Sequence, residues 1–275
     1  MLYEDLLNLK KRGKAIRIAM SGAGWMGIGF ATQVKYIPGM RIVVVVDPDT
    51  SKARQVLASS GALPCDIVET DKRGVAEDEI RKGNCVITSD YTLAAGLEQV
   101  DVITDVTPSP LRGAEMALAG IQGGKDVVLV NVEADVTVGR ALKKIASERG
   151  VIYSVSSGDE PGCLMELWDF VNSLGYEPIV IGKGKNNPLQ TDANPDTVSE
   201  AAKLSGKEPY QVASYVDGTK TMFEMACVAN ATGCLPMKRG MIGPRADLST
   251  VSEVFALKED GGITCLLYTS DAADE

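Results

Sequence analysis

The chain has 275 residues, 45 % hydrophobic and 24 % charged, the balance of a folded protein with enough length for two cores. Its 28 basic and 37 acidic residues leave a net charge of −9, which argues against a nucleic-acid or anionic-membrane surface, and no apolar run approaches bilayer length. Histidine is absent, so Ser-His-Asp and Cys-His machinery is excluded within this chain. Proton transfer then falls to Lys, Asp, Glu, Tyr, Cys or water.

The first fourteen residues do not read as a secretory leader; Leu2, Leu6 and Leu9 are spaced for a short amphipathic helix. Residues 16–27, IRIAMSGAGWMG, follow as an apolar β-type run broken by Gly22, Gly24 and Gly27. This spacing predicts a strand, a tight turn and a helix start, where a dinucleotide's pyrophosphate usually sits. Gly22 permits the turn, Gly24 lets the backbone approach the phosphates, and Gly27 lets helix and strand pack closely. Backbone N–H groups at Trp25 and Met26, with the positive end of the helix dipole, then face the anion. A second run, RIVVVV, ends in Asp47, twenty residues after Gly27, where an acid is expected to bond the adenosine ribose. Asp47 disfavours a 2′-phosphate, whereas Lys52 and Arg54 close behind it are able to accept one, so both NAD and NADP stay open.

Strand-like runs at 15–20, 41–46, 85–89, 102–106, 127–131 and 151–155 alternate with helical stretches at 25–35, 51–60, 76–82, 113–122 and 138–149. Repeated βα units with apolar, β-branched strands predict an α/β fold, a Rossmann-type doubly wound parallel sheet covered on both faces. Ligands collect at the carboxyl ends of such strands, where residues 107–110, with Thr107 and Pro108, and residues 131–135, with Asn131 and Glu133, are expected to project.

Beyond residue 155 the pattern changes. SSGDEPG is turn chemistry, CLMELWDFVNSLG helix-like, EPIVIG (177–182) strand-like, and GKGKNNPLQTDANPDT a polar loop. Residues 199–204 and 217–233 read as helices, the second with Asp217 or Thr219 as cap and Gly233 as stop. The chain thus reads as a dinucleotide-binding domain over 1–155 and an α+β catalytic domain over 156–264. Residues 265–275, CLLYTSDAADE, match the translation of a common sequencing-library adapter, so an artefactual tail and an incomplete second domain are expected.

The second half carries the polar groups a catalytic domain needs. Lys183 and Lys185, with Asn186 and Asn187 beside them, suit an anionic substrate or a carbonyl oxygen, or else form a solvated loop. Lys220 and Glu224 share a helical face, with Asp217 one turn earlier and Asn230 further along. The rest of that helix is apolar, so its charges need partners or a role. Asp159 and Glu160 are able to bind a divalent cation with Glu224, or to serve as turn and capping residues; Glu133 and Asp135 pose the same choice. Six cysteines, at 65, 85, 163, 227, 234 and 265, show no CxxC or paired spacing, which fits a soluble, reducing, cytoplasmic setting and no zinc site.

VTPSP, NVEADVTVG, GDEPG, GKGKNN and DGTKTMFEMACVANATG together resemble the homoserine dehydrogenase-like proteins with a C-terminal SAF domain, a group that includes the 1-deoxyxylulose 5-phosphate reductoisomerase-like enzymes. The resemblance runs over residues 1–264 and implies a Rossmann domain, a catalytic and dimerisation domain, and a SAF domain beyond the present chain. It implies a homo-oligomeric oxidoreductase, using NADP or NAD, that acts on a small carbonyl or hydroxy compound. Homoserine dehydrogenases tend to carry a lysine in a TANK-like segment where this chain has Glu133, which places it nearer the reductoisomerase-like branch. There the implied reaction converts deoxyxylulose phosphate to methylerythritol phosphate with NADPH. In the reading drawn from these residues, Lys220 or Lys183 stabilises an oxyanion and donates a proton. Asp217 and Glu224 position that lysine or a metal-bound substrate, and Lys185 and Asn186 hold the anionic end, with Asp159, Glu160 and Asn230 lining the pocket. The remaining alternatives are a homoserine dehydrogenase and a non-catalytic dinucleotide-binding regulator.

Overall fold

The computed structural model describes residues 2–185, 187–240 and 242–264. The chain divides into two compact units, Met1–Ser156 and Ser157–Glu275. In the first, helix α1 (Leu2–Lys11) precedes a regular alternation of strands β1 (Ile16–Ser21), β2 (Met40–Val46), β3 (Ile67–Glu69), β4 (Cys85–Thr88), β5 (Val102–Asp105), β6 (Asp126–Leu129) and β7 (Tyr153–Val155). The helices between them are α2 (Trp25–Val34), α3 (Thr50–Ser59), α4 (Arg73–Lys82), α5 (Tyr91–Gly96), α6 (Pro110–Gln122) and α7 (Val132–Arg149).

All seven strands pair in parallel, in the order β3-β4-β2-β1-β5-β6-β7. Each crossover therefore needs a helix, and the helices bury both faces of the sheet. Ile18, Met20, Ile42 and Val45 pack with Ala31 and Val34 of α2 and Val56 and Leu57 of α3. On the other face, Ala19, Val44, Ile103 and Leu129 pack with Met116 and Ile121 of α6 and Leu142 and Ala146 of α7. This is the doubly wound arrangement of the Rossmann type, and its strand order reverses between β1 and β5.

Three local differences from the periodicity have physical causes. The three-residue β3 is too short for a hydrophobic pattern to mark it. Helix α7 begins at Val132 because Asn131 caps it, accepting from the Ala134 N–H at 3.0 Å, so Glu133 and Asp135 lie in its first turn rather than in a projecting loop. Helix α5 is one and a half turns long, bounded by the Asp90 cap.

The described part of the second unit is built from helices α8 (Glu160–Ser173), α9 (Ser199–Ser205), α10 (Pro209–Val216), α11 (Thr219–Thr232) and α12 (Val251–Val254). Helix α11 packs against α8 and α10, and buries Glu224, Cys227 and Val228. Residues 177–182, read as a strand from EPIVIG, are irregular: Ile179 and Val180 are exposed and no strand in this unit stands beside them among the described residues. An apolar run without a ladder partner has no sheet to join. Among the described residues no helix is long and apolar enough to cross a membrane. Residues 265–275 lie outside the described residues.

Candidate functional site

In the first unit the three glycines differ in what surrounds them. Gly22 has φ +101°, and a Cβ there would lie 3.1 Å from the Thr107 backbone nitrogen. A Cβ on Gly27 would overlap the Gly22 carbonyl oxygen. Gly24 is different: it is exposed, caps α2, and a Cβ on it would meet nothing within 4 Å. Two glycines thus close the turn, and the third leaves open space at a helix N-terminus, where the first N–H groups point along the axis. This is a fit for a pyrophosphate. Trp25 and Met26, the next two residues, have exposed side chains.

Asp47 directly follows β2 and reaches back to this turn. One carboxylate oxygen accepts from the Ala23 N–H at 2.7 Å and the other from Asp49 N–H at 2.8 Å. Each oxygen retains a second lone pair for a ribose hydroxyl. The two basic residues nearby are engaged by acids: Lys52 lies 3.5 Å from Asp49, and Arg54 lies 3.7 Å from Glu69.

Across the strand-order reversal, Pro108 is exposed and Thr107 half-buried. Asn131 is buried, and its side chain is fully engaged: Oδ1 caps α7, while Nδ2 donates to Asp105 Oδ2 and to the Ser109 carbonyl, both at 2.9 Å. These bonds are structural ones, within the first unit. Asp135 accepts from the Tyr153 hydroxyl at 2.8 Å, a structural use as well. The sequence reading passed over Asp105, the fully buried last residue of β5. The signal available was an acid inside the apolar run VITDV.

In the second unit, α8, α11 and the segment before Asn186 bring four charged groups together. The Lys183 ammonium donates to Glu160 Oε1 at 2.5 Å and also to Glu224 Oε2. The Glu224 side chain is 3 % exposed, Lys183 17 % and Glu160 44 %. Burial works against the Lys183 charge, but the two carboxylates outweigh it and hold its pKa above the usual lysine value. Asp159, N-terminal to α8, is pushed up to about 6, first by burial and then by the neighbouring Glu160; the charge of Lys220 opposes this. Glu160 is held down to about 2 by its hydrogen bond with Asp159 and then by Lys183. Asp159, Glu160 and Glu224 each offer an oxygen within 4.8 Å of the others, a spacing that suits a hard cation, although the Lys183 ammonium already bonds two of them.

The other expected residues are more dispersed. Asp217 precedes α11: Gly218, at φ +91°, is the N-cap and turns the chain, and the Asp217 carboxylate accepts from Thr219 N–H at 2.7 Å. Asn230 is exposed and six residues beyond Glu224, which puts it on another face of the helix, so it does not join the cluster. Lys185 is exposed, Asn187 donates to the Tyr215 carbonyl at 3.2 Å, and Asn186 lies outside the described residues.

Residues 158–272 match the family model described as the catalytic domain of oxidoreductase DRL, a range that runs past Thr264 into the segment expected to be foreign. The second unit is therefore similar to an oxidoreductase catalytic domain. No curated protein matches the chain in sequence. Among solved structures, the WlbA dehydrogenase from Bordetella pertussis, in complex with NADH and UDP-GlcNAcA, is 17 % identical with a TM-score of 0.42, over 59 % of this chain and 44 % of that one. Biliverdin reductase from Synechocystis, with biliverdin and NADP+, is 15 % identical with a TM-score of 0.39, over 65 % of this chain and 50 % of that one. The chain spans about half the length of these structures.

Proposed function

We propose that the chain is the nicotinamide-binding and catalytic part of an NAD(P)-dependent oxidoreductase acting on a small carbonyl or hydroxy substrate. The observation that carries the reading is the glycine turn, closed at Gly22 and Gly27 and open at Gly24, joined to a unit similar to an oxidoreductase catalytic domain. A bound nicotinamide supplies or accepts the hydride. Gly24 and the N–H groups of Trp25 and Met26 hold its pyrophosphate, and Asp47 the ribose.

In the second unit we assign different work to the two lysines. Lys183 is bonded by two carboxylates and keeps its proton, so it serves as fixed positive charge and orders Glu160 and Glu224. Lys220, whose charge acts on Asp159, is the candidate to stabilise an oxyanion, with Asp159 as the group that exchanges a proton near neutral pH. Lys185 and Asn186 are assigned to a substrate's anionic end, and Asp217 to orienting the start of α11. A divalent cation at Asp159, Glu160 and Glu224 is the alternative to this arrangement, since it would have to displace the Lys183 ammonium from the two glutamates. For the substrate class we favour a reductoisomerase-like use of a sugar phosphate, on the resemblance of the second-half motifs and on Glu133 in place of a lysine.

The test is NADH and NADPH oxidation against deoxyxylulose phosphate and, separately, aspartate semialdehyde, with Lys220→Met alongside. Turnover of the sugar phosphate, lost in Lys220→Met with nucleotide binding retained, is expected. Turnover of the semialdehyde alone would reassign the substrate, and unchanged turnover in the variant would remove Lys220 from the chemistry.

A further inference from the structure

Three loops meet where the strand order reverses: the glycine turn after β1, residues 106–109 after β5, and the Asn131 cap after β6. One side chain links the last two. Asp105 Oδ2 accepts from Asn131 Nδ2 at 2.9 Å and from Thr107 Oγ1 at 3.0 Å, while Asp105 Oδ1, buried, has no hydrogen-bond partner. Asn131 in turn holds the Ser109 carbonyl and the first turn of α7. Thr107 presses on the glycine turn, close enough that Gly22 has no room for a side chain. Helix α6 comes down on the pair through Gly113, whose Cβ would lie 2.6 Å from Asn131 Nδ2 and 3.0 Å from Asp105 Oδ2.

We propose that Asp105 is a positioning residue for the nicotinamide half of the dinucleotide site, fixing the 106–109 loop and the start of α7 against the glycine turn; this rests on the dinucleotide reading above. In a doubly wound sheet the β1–β2 half takes the adenosine end and the half beyond the reversal takes the other nucleoside. Thr107 and Asn131 both belong to that second half. A wholly buried carboxyl is costly at a strand end flanked by Thr104 and Val106, both buried, and among the described residues no Lys or Arg pairs with it. Its burial pushes the carboxyl pKa up, against the hydrogen bonds from Asn131 and Thr107. What the carboxyl contributes is one acceptor oxygen shared by two donors from different loops, and an amide oxygen of the same shape can replace it.

The experiment measures equilibrium binding of NADH and of ADP-ribose to the 275-residue chain. For Asp105→Ala, NADH affinity is expected to fall at least about tenfold, equivalent to about 1.4 kcal/mol, with ADP-ribose affinity within about twofold. Asp105→Asn is expected to restore NADH binding to within about threefold, a rescue that loss of general stability does not predict. Gly113→Ala, which displaces the same pair from the α6 side, provides a second variant should Asp105→Ala fail to fold, and is expected to show the same NADH-selective loss. Equal losses for both ligands, no loss, or failure of Asp105→Asn to rescue would each overturn the assignment. If the wild-type chain binds neither ligand, the dinucleotide reading itself falls.

Discussion

Replacing Glu224 by Gln tests the most buried ionic contact of the second unit. The substitution keeps the shape and removes the charge facing Lys183. Breaking a buried pair by neutralising one partner costs about 3–5 kcal/mol. Two features reduce this here: Lys183 keeps its 2.5 Å bond to Glu160, and it is 17 % exposed, so water reaches part of the ammonium. A loss of about 2 kcal/mol is expected, which at a urea slope of about 2 kcal/mol/M lowers the midpoint by about 1 M. Each unit holds one tryptophan, Trp25 and Trp168, so in a Trp25→Phe background the emission of Trp168 reports the second unit alone. Adding Lys183→Met removes the charge that has lost one of its two carboxylates, and the double variant is expected to recover about 1 kcal/mol relative to the sum of the single losses. A midpoint shift below about 0.2 M, on the same urea slope, or strict additivity in the double variant, would refute the reasoning.

The remaining predictions concern both units. Gly24→Ser places a good capping residue in open space, so thermal stability should hold within about 0.5 kcal/mol while NADH affinity drops about tenfold by calorimetry, because the side chain occupies the anion's place. Asp47→Ser removes a negative charge at the ribose, and the NADPH-to-NADH affinity ratio should rise about tenfold in competitive titration. Asp159, raised to about 6 when folded against about 3.9 unfolded, binds its proton more tightly in the native state. Its contribution is therefore present below about pH 4 and lost as pH rises to about 6, so urea midpoints of Asp159→Asn should fall less than wild type across that window. Glu160, held at about 2, contributes with the opposite sign, its stabilisation being lost as pH falls below about 4; Glu160→Gln should flatten the acid limb.

What the amino-acid order determined by itself is local. The alternation of apolar strands with helical stretches specifies a parallel sheet because each crossover must be covered, and the GAGWMG turn identifies itself through glycines that only a tight turn requires. The end of α11 was legible for the same reason, since Gly233 stops it in the left-handed conformation, whereas its N-cap is Gly218 rather than Asp217 or Thr219. Partnerships across the chain were not. Asp105 and Asn131 lie 26 residues apart, Ala23 and Asp47 24, Lys183 and Glu224 41, and no periodicity encodes which distant groups share a buried site. Tertiary packing decided that Glu224 meets Lys183, and that Asn131 meets Asp105. A charge removed from water must take the partner that the packed chain brings to it, whatever its distance in sequence.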